Sequence, residues 1–423
     1  MKAGDKKGSG VFFSRSASAV SPDRSKKTPD PFLPIGEIQA LLEREQLDGW
    51  LLWDFRGQNP TAVAALGLSG HMLTRRWAYL VPREGEPHFL VHAIEAGSLP
   101  ARPGRVVTYA GHEELQRRLE GLLAGRRRIA MEYSPMGAIP TLSRVDAGTV
   151  ERVRSLGVEV VSSADLVQLF LCRLSREQIE SHRRAAAALD RIKDDAFRMI
   201  AERIRAGRPA LETEVQDLVS RGFADADLVT DHPAIVAVDA HAGDPHYVPS
   251  AERAVPCGAD AVVLLDLWAK EDDPQAVFAD ITWMAWTGGT PPPRVAEVFD
   301  VVVAARDLGL DTVRKAHESG RRLEGWMVDR AVRDFIAERG FGERFLHRTG
   351  HNIGAHADHG DGANLDDFET HDTRVLVPGL CFSIEPGIYL DDFGVRSEID
   401  VVLEDDGPKV YTPPQRELVR LAG

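Results

Sequence analysis

The chain has 423 residues, which exceeds what one average hydrophobic core accommodates and predicts two domains, and its 43% hydrophobic and 27% charged residues are typical of a globular protein. The formal charge of −14 argues against a nucleic-acid partner, because phosphate binding needs a basic surface, and no apolar run approaches the roughly 20 residues of a membrane span. Three widely spaced cysteines without a CxxC pair argue against a thiolate zinc site and favour a reducing, cytoplasmic location.

The chain begins with a polar segment, and a domain of mixed helices and strands follows it. Residues 1–30 are rich in Ser, Lys and Gly with little apolar periodicity, which predicts a disordered tail. Residues 31–170 alternate helical and strand patterns and predict a smaller α/β amino-terminal domain without an obvious chemical constellation. The helical pattern is IGEIQALLEREQL, and the strand patterns are GWLLWDF, RWAYLVP, PHFLVHA and RRIAMEY.

A second domain is predicted over residues 171–423. Ser175 and Gln178 have the spacing of a capping box, and apolar residues at helical spacing continue from there to Gly207. This long helix is expected to open the domain.

Carboxylates lie inside apolar strand patterns of the second domain. Asp266 in AVVLLDLWA and Asp280 in VFADITWMAW each share a strand face with apolar neighbours. In LCFSIEPGIYL, Glu385 alternates with apolar residues that point to the opposite strand face, and in GVRSEIDVVLE, Glu398 and Asp400 do so. A buried carboxylate costs several kcal/mol unless it is paired or binds a cation. One such residue is usually a structural partner, but acids on four strands favour a cation site.

A histidine cluster lies between these strand pairs. The segment FLHRTGHNIGAHADHGDG holds four of the fourteen histidines, namely His347, His351, His356 and His359. Together with the carboxylates they form a set of hard oxygen and nitrogen ligands that suits two divalent cations. The chain has no HExxH, GxSxG or P-loop motif, which argues against zincins, serine hydrolases and nucleotide hydrolases.

The order Asp, Asp, His, Glu, Glu resembles that of the pita-bread dinuclear metallopeptidases, which include methionine aminopeptidase, aminopeptidase P and prolidase. The segments that carry the resemblance are PHY, LLDLW, FADIT, HRTGHNIG, SIEPGIY and GVRSEID. The first domain is similar to the amino-terminal domain of the proline-specific members. The resemblance implies an α+β protein, with a creatinase-like amino-terminal domain and a pita-bread catalytic domain of a curved antiparallel sheet and helices.

The resemblance also implies a ligand set. Asp266 would bind one metal, His351 and Glu385 the other, and Asp280 and Glu398 would bridge the two. A water shared by the ions would provide a hydroxide nucleophile, and Glu385 would accept a proton during attack. Manganese is the expected metal, while cobalt, zinc and iron stay open as alternatives.

Further residues match positions near the family's substrate. His246 and His359 correspond to histidines that contact substrate, His347 to another active-site histidine, and Arg396 flanks the bridging Glu398. One extra residue between His351 and His359 leaves His356 as the alternative match. His359 is favoured because the family's HGDG context follows it, which leaves His356 as an exposed loop residue.

The implied activity is hydrolysis of the bond that precedes proline, in a small peptide with proline in the second position. Both a Xaa-Pro dipeptidase (prolidase) and a Xaa-Pro aminopeptidase stay open, with the dipeptidase favoured. A dipeptidase must recognise a free carboxylate, for which Arg396, Arg374 and His371 are candidates. The resemblance also implies a homodimer. Two rivals are a metal-free creatinase-like hydrolase and a catalytically silent pita-bread binding module.

Overall fold

A computed structural model describes residues 33–422, so the predicted tail of residues 1–30 lies outside the described residues. The described chain forms two compact units. The first comprises residues 33–135 and 143–163, and the second comprises residues 136–142 and 164–422. Within residues 33–422, every helix falls short of the length and apolarity that a membrane crossing requires.

The first unit is a mixed sheet with helices. Its helices are α1 (Ile35–Arg44), α2 (Pro60–Ala65), α3 (His112–Leu123) and α4 (Ala147–Arg154). Its strands are β1 (Gly49–Phe55), β2 (Arg76–Pro82), β3 (His88–His92), β4 (Arg105–Tyr109), β5 (Arg128–Met131) and β6 (Glu159–Ser162). They lie in the order β4-β3-β2-β1-β5-β6, with β1 antiparallel to β2 and parallel to β5. The predicted helix and the four predicted strands are confirmed at α1, β1, β2, β3 and β5.

The second unit contains longer helices and several small sheets. Its helices are α5 (Ala164–Val167), α6 (Arg176–Arg205), α7 (Glu212–Asp225), α8 (Pro293–Glu318) and α9 (Gly325–Glu338). Its strands are β7 (Leu228–Val229), β8 (Ile235–Val238), β9 (Val262–Glu271), β10 (Ala279–Trp286), β11 (Asn352–Ile353), β12 (Cys381–Ile384), β13 (Gly387–Tyr389), β14 (Gly394–Arg396), β15 (Ile399–Glu404), β16 (Gly407–Val410) and β17 (Val419–Arg420). One sheet joins β17, β10, β9 and β7, with β8 also paired to β9, another has the order β11-β12-β15-β16, and β13 and β14 form a hairpin.

Helix α6 begins as predicted. The Ser175 hydroxyl accepts a hydrogen bond from the Gln178 amide at 3.2 Å, and the Gln178 side chain accepts one from the Ser175 amide at 3.0 Å. This reciprocal cap satisfies two amides that the first helical turn leaves without partners. The helix then packs against β9 and β10 and covers one face of their sheet.

The alternation of side chains along β9 directs the Asp266 carboxylate away from α6. Val263 and Leu265 belong to the core that α6 and α7 form with this sheet, whereas Val262 and Leu264 pack in the core that includes α8. Because side chains alternate along a strand, Asp266 continues the second face. The carboxylate therefore lies on the side of the sheet opposite α6.

Two of the predicted strands are each interrupted in the structure. The pattern LCFSIEPGIYL forms β12 and β13, and GVRSEIDVVLE forms β14 and β15. Pro386 has no amide hydrogen for a strand ladder, which explains the first break. At the second break the Glu398 amide donates to the Thr282 carbonyl at 3.3 Å rather than within its own hairpin. The two interruptions place Glu385 and Glu398 outside regular pleated positions.

Candidate metal centre

The antiparallel pair β9 and β10 places two carboxylates on one face. Asp266 lies opposite Thr282, and Asp280 lies opposite Trp268. Residues directly opposite each other in an antiparallel pair point to the same side of the sheet. Asp266 and Asp280 are therefore neighbours on one surface, and both side chains are buried.

Two distant segments complete the cluster. Ligand atoms of Asp280, His351 and Glu398 lie within 4.8 Å of one another. The Nε2 atom of His351 is 3.4 Å from Glu385 Oε1 and 3.8 Å from Asp280 Oδ2. A Cβ atom at Gly350 would lie 2.0 Å from the Ser383 carbonyl oxygen, so glycine is required for the His351 segment to approach β12 this closely.

Asp266 joins the cluster through a shared hydroxyl. The Thr282 hydroxyl lies 3.1 Å from Asp266 Oδ1 and 2.8 Å from Glu398 Oε2. Arg396 forms an ion pair with Asp266 and donates from Nε to the Thr282 hydroxyl at 3.1 Å. The structure thus brings together Asp266, Asp280, His351, Glu385 and Glu398.

The cluster carries more negative charge than its protein partners neutralise. Burial, followed by repulsion from Glu398, raises the pKa of Asp280 well above its usual range. Burial, followed by repulsion from Glu385, does the same to the pKa of Glu398. Asp280 Oδ1 and Glu398 Oε1 are buried without a hydrogen-bond partner among residues 33–422. Unpaired buried carboxylate oxygens are costly, and divalent cations would satisfy them, so this donor set fits metal ions.

Glu385 is the half-buried carboxylate of the cluster. Its Oε1 accepts a hydrogen bond from the Ser383 hydroxyl at 3.1 Å. Burial raises its pKa to about 7 against the opposing effect of Arg396. A carboxyl group that titrates near neutrality exchanges protons efficiently at neutral pH.

His347 lies beside the cluster and contacts it through a tyrosine. Its Nδ1 is 2.7 Å from the Arg348 carbonyl and therefore donates, which leaves Nε2 to accept from the Tyr389 hydroxyl at 2.7 Å. Arg396 Nη1 donates to the same hydroxyl at 3.1 Å. Burial and the charge of Arg396 lower the pKa of His347 to about 3, so this imidazole is neutral.

The other three histidines lie near the surface. His359 stacks on His351 with ring centroids 3.8 Å apart, and its Nδ1 accepts from Arg348 Nη2 at 2.9 Å. His246 is exposed. Burial, followed by the charge of Arg348, lowers the pKa of His359 to about 4. His356 is exposed, as expected for the unassigned loop histidine.

Three residues at the cluster were missed by the sequence analysis, namely Thr282, Arg348 and Asp358. Asp358 is 4% exposed, and its Oδ2 lies 3.7 Å from His351 Nε2. Asp358 and Arg348 lie in irregular segments, which carry no periodicity that would predict their orientation. For Thr282, its position two residues after Asp280 on the same strand face was a usable signal.

A family model described as metallopeptidase family M24 matches residues 180–405. The chain belongs to this family. M24 membership implies divalent metal ions, and the cluster lies on residues within the matched range. The protein is accordingly a metallopeptidase, with a two-domain α+β fold and a pita-bread catalytic domain.

Relatives within M24 carry dipeptidase names. The probable dipeptidase PepE of Mycobacterium tuberculosis (strain ATCC 25618 / H37Rv) is 26% identical over 365 residues, which cover 84% of this chain and 88% of that protein. The Xaa-Pro dipeptidase of Lactobacillus helveticus is 29% identical over 250 residues, covering 57% of this chain and 60% of that protein. The crystal structure of dipeptidase PepE from Mycobacterium ulcerans has a TM-score of 0.71 at 22% identity, covers 92% of this chain and 97% of that chain, and supports the shared fold.

Proposed function

We propose that this M24 peptidase is a Xaa-Pro dipeptidase that uses two divalent cations. The observation that carries the proposal is the convergence of three buried carboxylates, the half-buried Glu385 and His351, with oxygens of Asp280 and Glu398 that have no partner among residues 33–422. The dipeptidase names of its relatives support the substrate class. An oxygen-rich donor set supports manganese as the metal.

The roles implied by the resemblance are carried into the proposal. Asp266 would hold one ion, His351 and Glu385 would hold the other, and Asp280 and Glu398 would contribute to both. When bound, such ions polarise the scissile carbonyl and lower the pKa of water near the substrate.

The chain's own groups supply proton transfer and orientation. Glu385 would accept a proton from the attacking water and return it to the leaving prolyl nitrogen, the role that the resemblance implies for it. Neutral His359 accepts from Arg348 through Nδ1, so its Nε2–H donates to the substrate or to the oxyanion. His246 and His359 are both exposed at the surface beside the cluster, which supports their substrate-contacting roles.

Recognition of the free carboxylate of Xaa-Pro requires a cation. The three cationic residues that the sequence offered for this role have other partners in the structure. Arg374 is buried and binds both oxygens of Asp372, and His371 contacts Asp367 at 2.6 Å. Arg396 binds Asp266, the Thr282 hydroxyl and the Tyr389 hydroxyl.

Arg348 is the cation that we propose for this role. Its Nη2 contacts His359 at 2.9 Å, and its Nη1 is 3.5 Å from the half-exposed Glu369 carboxylate. A weakly paired guanidinium beside a substrate-contacting histidine can form a bidentate contact with a carboxylate.

Comparison of three substrates tests the proposal. Initial rates with Ala-Pro, Ala-Pro-amide and Ala-Pro-Ala are measured on the manganese-loaded enzyme. Loss of a charge-assisted pair costs about 1.5–3 kcal/mol, so kcat/KM for the amide should fall by roughly 10- to 150-fold. Arg348→Gln should remove this preference. Equal or faster cleavage of Ala-Pro-Ala would identify an aminopeptidase instead, and cleavage of Ala-Ala at the rate of Ala-Pro would refute proline specificity.

A further inference from the structure

Asp358 is held inward by a tight loop between β11 and β12. The residues on both sides of it, Ala357 and His359, are exposed, whereas Asp358 is 4% exposed. The Gly360 amide donates to the Asn352 carbonyl at 2.7 Å, and Ile353 pairs with His359 in an isolated antiparallel bridge. These contacts close the loop and direct the Asp358 side chain toward His351.

The Asp358 carboxylate faces two imidazoles. Its Oδ2 lies 3.7 Å from Nε2 of both His351 and His359, and ligand atoms of these three residues lie within 4.8 Å of one another. The Nδ1 atom of His351 is 3.2 Å from the Asn352 carbonyl and donates to it, so Nε2 is the nitrogen available to a cation. Asp358 Oδ1 is buried and has no hydrogen-bond partner in the described part of the chain.

Structural aspartates of the same unit have different surroundings. Asp329, also fully buried, accepts from the amide and the hydroxyl of Thr349 and from Arg333. Asp372 binds the guanidinium of Arg374. Asp358 instead lies among other acids, and its charge and that of Asp280 act on each other. A buried acid beside acids is stable when a cation lies between them.

We propose that Asp358 supplies a further carboxylate to the ion that His351 binds. The proposal rests on the metal centre proposed above and adds a ligand to it. The ion's ligands are then one imidazole and a larger set of carboxylate oxygens. Such a set favours a hard ion of high coordination number, such as Mn²⁺, over Zn²⁺, which prefers four ligands. Asp358 is thus proposed to set metal preference as well as affinity.

Metal titration of Asp358→Asn tests the proposal. The asparagine keeps the size of the side chain and removes its charge. Calorimetric and electron paramagnetic resonance titrations with Mn²⁺ should show one of the two ions bound at least roughly 10- to 100-fold more weakly than in the unaltered protein. The preference for Mn²⁺ over Zn²⁺, measured by competition, should fall as well. Unchanged affinity and preference would overturn the proposal.

Thermal unfolding gives a readout that a structural role for Asp358 would not produce. In chelator-treated protein, Asp358→Asn should unfold at the same or a higher temperature, because it removes a like charge from the cluster. The rise in the midpoint on adding Mn²⁺ should be smaller than in the unaltered protein. A lowered midpoint in the chelated protein together with an unchanged Mn²⁺-induced rise would indicate a purely structural residue.

Asp366 provides a matched control. It is fully buried, one of its oxygens has no partner, and its other oxygen accepts from the amides of Phe368 and Glu369. Asp366→Asn should alter stability and leave Mn²⁺ affinity unchanged. Asp358→His, which restores a ligand of softer type, should recover binding of Zn²⁺ more than of Mn²⁺.

Asp280→Asn separates failure of this inference from failure of the proposed metal centre. If Asp280→Asn loses Mn²⁺ and Asp358→Asn binds as the unaltered protein does, only the role of Asp358 is overturned. If Asp280→Asn also binds two ions with unchanged affinity, the proposed metal centre itself is wrong, and the role of Asp358 fails with it.

Discussion

Thr282 gives the sharpest test of how the cluster is organised. Its fully buried hydroxyl lies within hydrogen-bond distance of Asp266, Glu398 and Arg396. A hydroxyl has one hydrogen, so it donates to one of the two carboxylates at a time while it accepts from Arg396. Thr282→Val keeps the shape of the side chain and removes both interactions.

The expected cost follows from the charges of the partners. A hydrogen bond to a charged group contributes about 1.5–3 kcal/mol, and Thr282→Val also leaves the buried Nε of Arg396 without that acceptor. The free energy of unfolding of the metal-free protein should therefore fall by about 2–4 kcal/mol. Affinity for Mn²⁺ should fall by roughly 10- to 100-fold, since groups that orient ligands typically have effects of this size.

Thr287→Val is the matched control. Thr287 follows β10, is fully buried, and bonds only to the Ala261 backbone among its described contacts, at 2.8 and 3.2 Å. Denaturant unfolding should show a loss of stability in both variants. Mn²⁺ calorimetry should show weaker metal binding only in Thr282→Val. A Thr282→Val protein that binds Mn²⁺ as tightly as the Thr287→Val protein would refute the proposed organisation.

Further substitutions test individual residues. Asp280→Ala and Glu398→Ala should each abolish turnover and lower the metal content measured by mass spectrometry, and an active variant with full content would contradict the ligand assignment. His359→Ala should lower kcat by roughly 10²-fold or more, whereas exposed His356→Ala should be nearly neutral, and the reverse ranking would show that the extra loop residue was aligned wrongly. Burial lowers the pKa of His182 to about 4, below its ordinary 6.5. As the pH falls, this imidazole is therefore protonated in the unfolded chain before it is protonated in the folded chain. The contribution of His182 to the free energy of unfolding should be complete above pH 6.5 and should fall by roughly 3 kcal/mol as the pH drops to 4. In chelator-treated protein, His182→Gln should flatten the plot of stability against pH over this range.

The regular elements could be predicted from sequence because their signals are local. The capping box of α6 needs only Ser175 and Gln178, three positions apart, and the structure confirms it. Alternation within β9 and β10 predicted the strand face of Asp266 and of Asp280 separately, and the pairing of the two strands in the structure shows that these faces lie on one side of the sheet. The breaks at Glu385 and Glu398 were not predicted, since the apolar alternation continues across both of them. The Pro386 ring was the one local sign of the first break.

The rest of the site depends on contacts between segments that are distant in the chain. Thr282 and Arg396 are separated by 114 positions, and no spacing rule relates them. Asp358 has exposed neighbours on both sides, so local polarity predicts a surface residue, and only the closed loop turns its side chain inward. Both cases reflect tertiary packing, which periodicity does not encode.

The buried charges of the cluster lower the stability of the metal-free domain. Asp266 has a protein cation, Arg396, whereas Asp280, Glu398 and Asp358 each keep a buried oxygen without a partner. Well-packed apolar side chains at these positions would be expected to give a more stable metal-free domain. The loss of stability from these buried charges is offset by the apolar cores on both faces of the sheet and by the capped helix α6. The unpaired oxygens therefore support the proposal that the acids are ligands whose burial is offset by cations, with the Thr282 hydroxyl holding two of them in place while those cations bind.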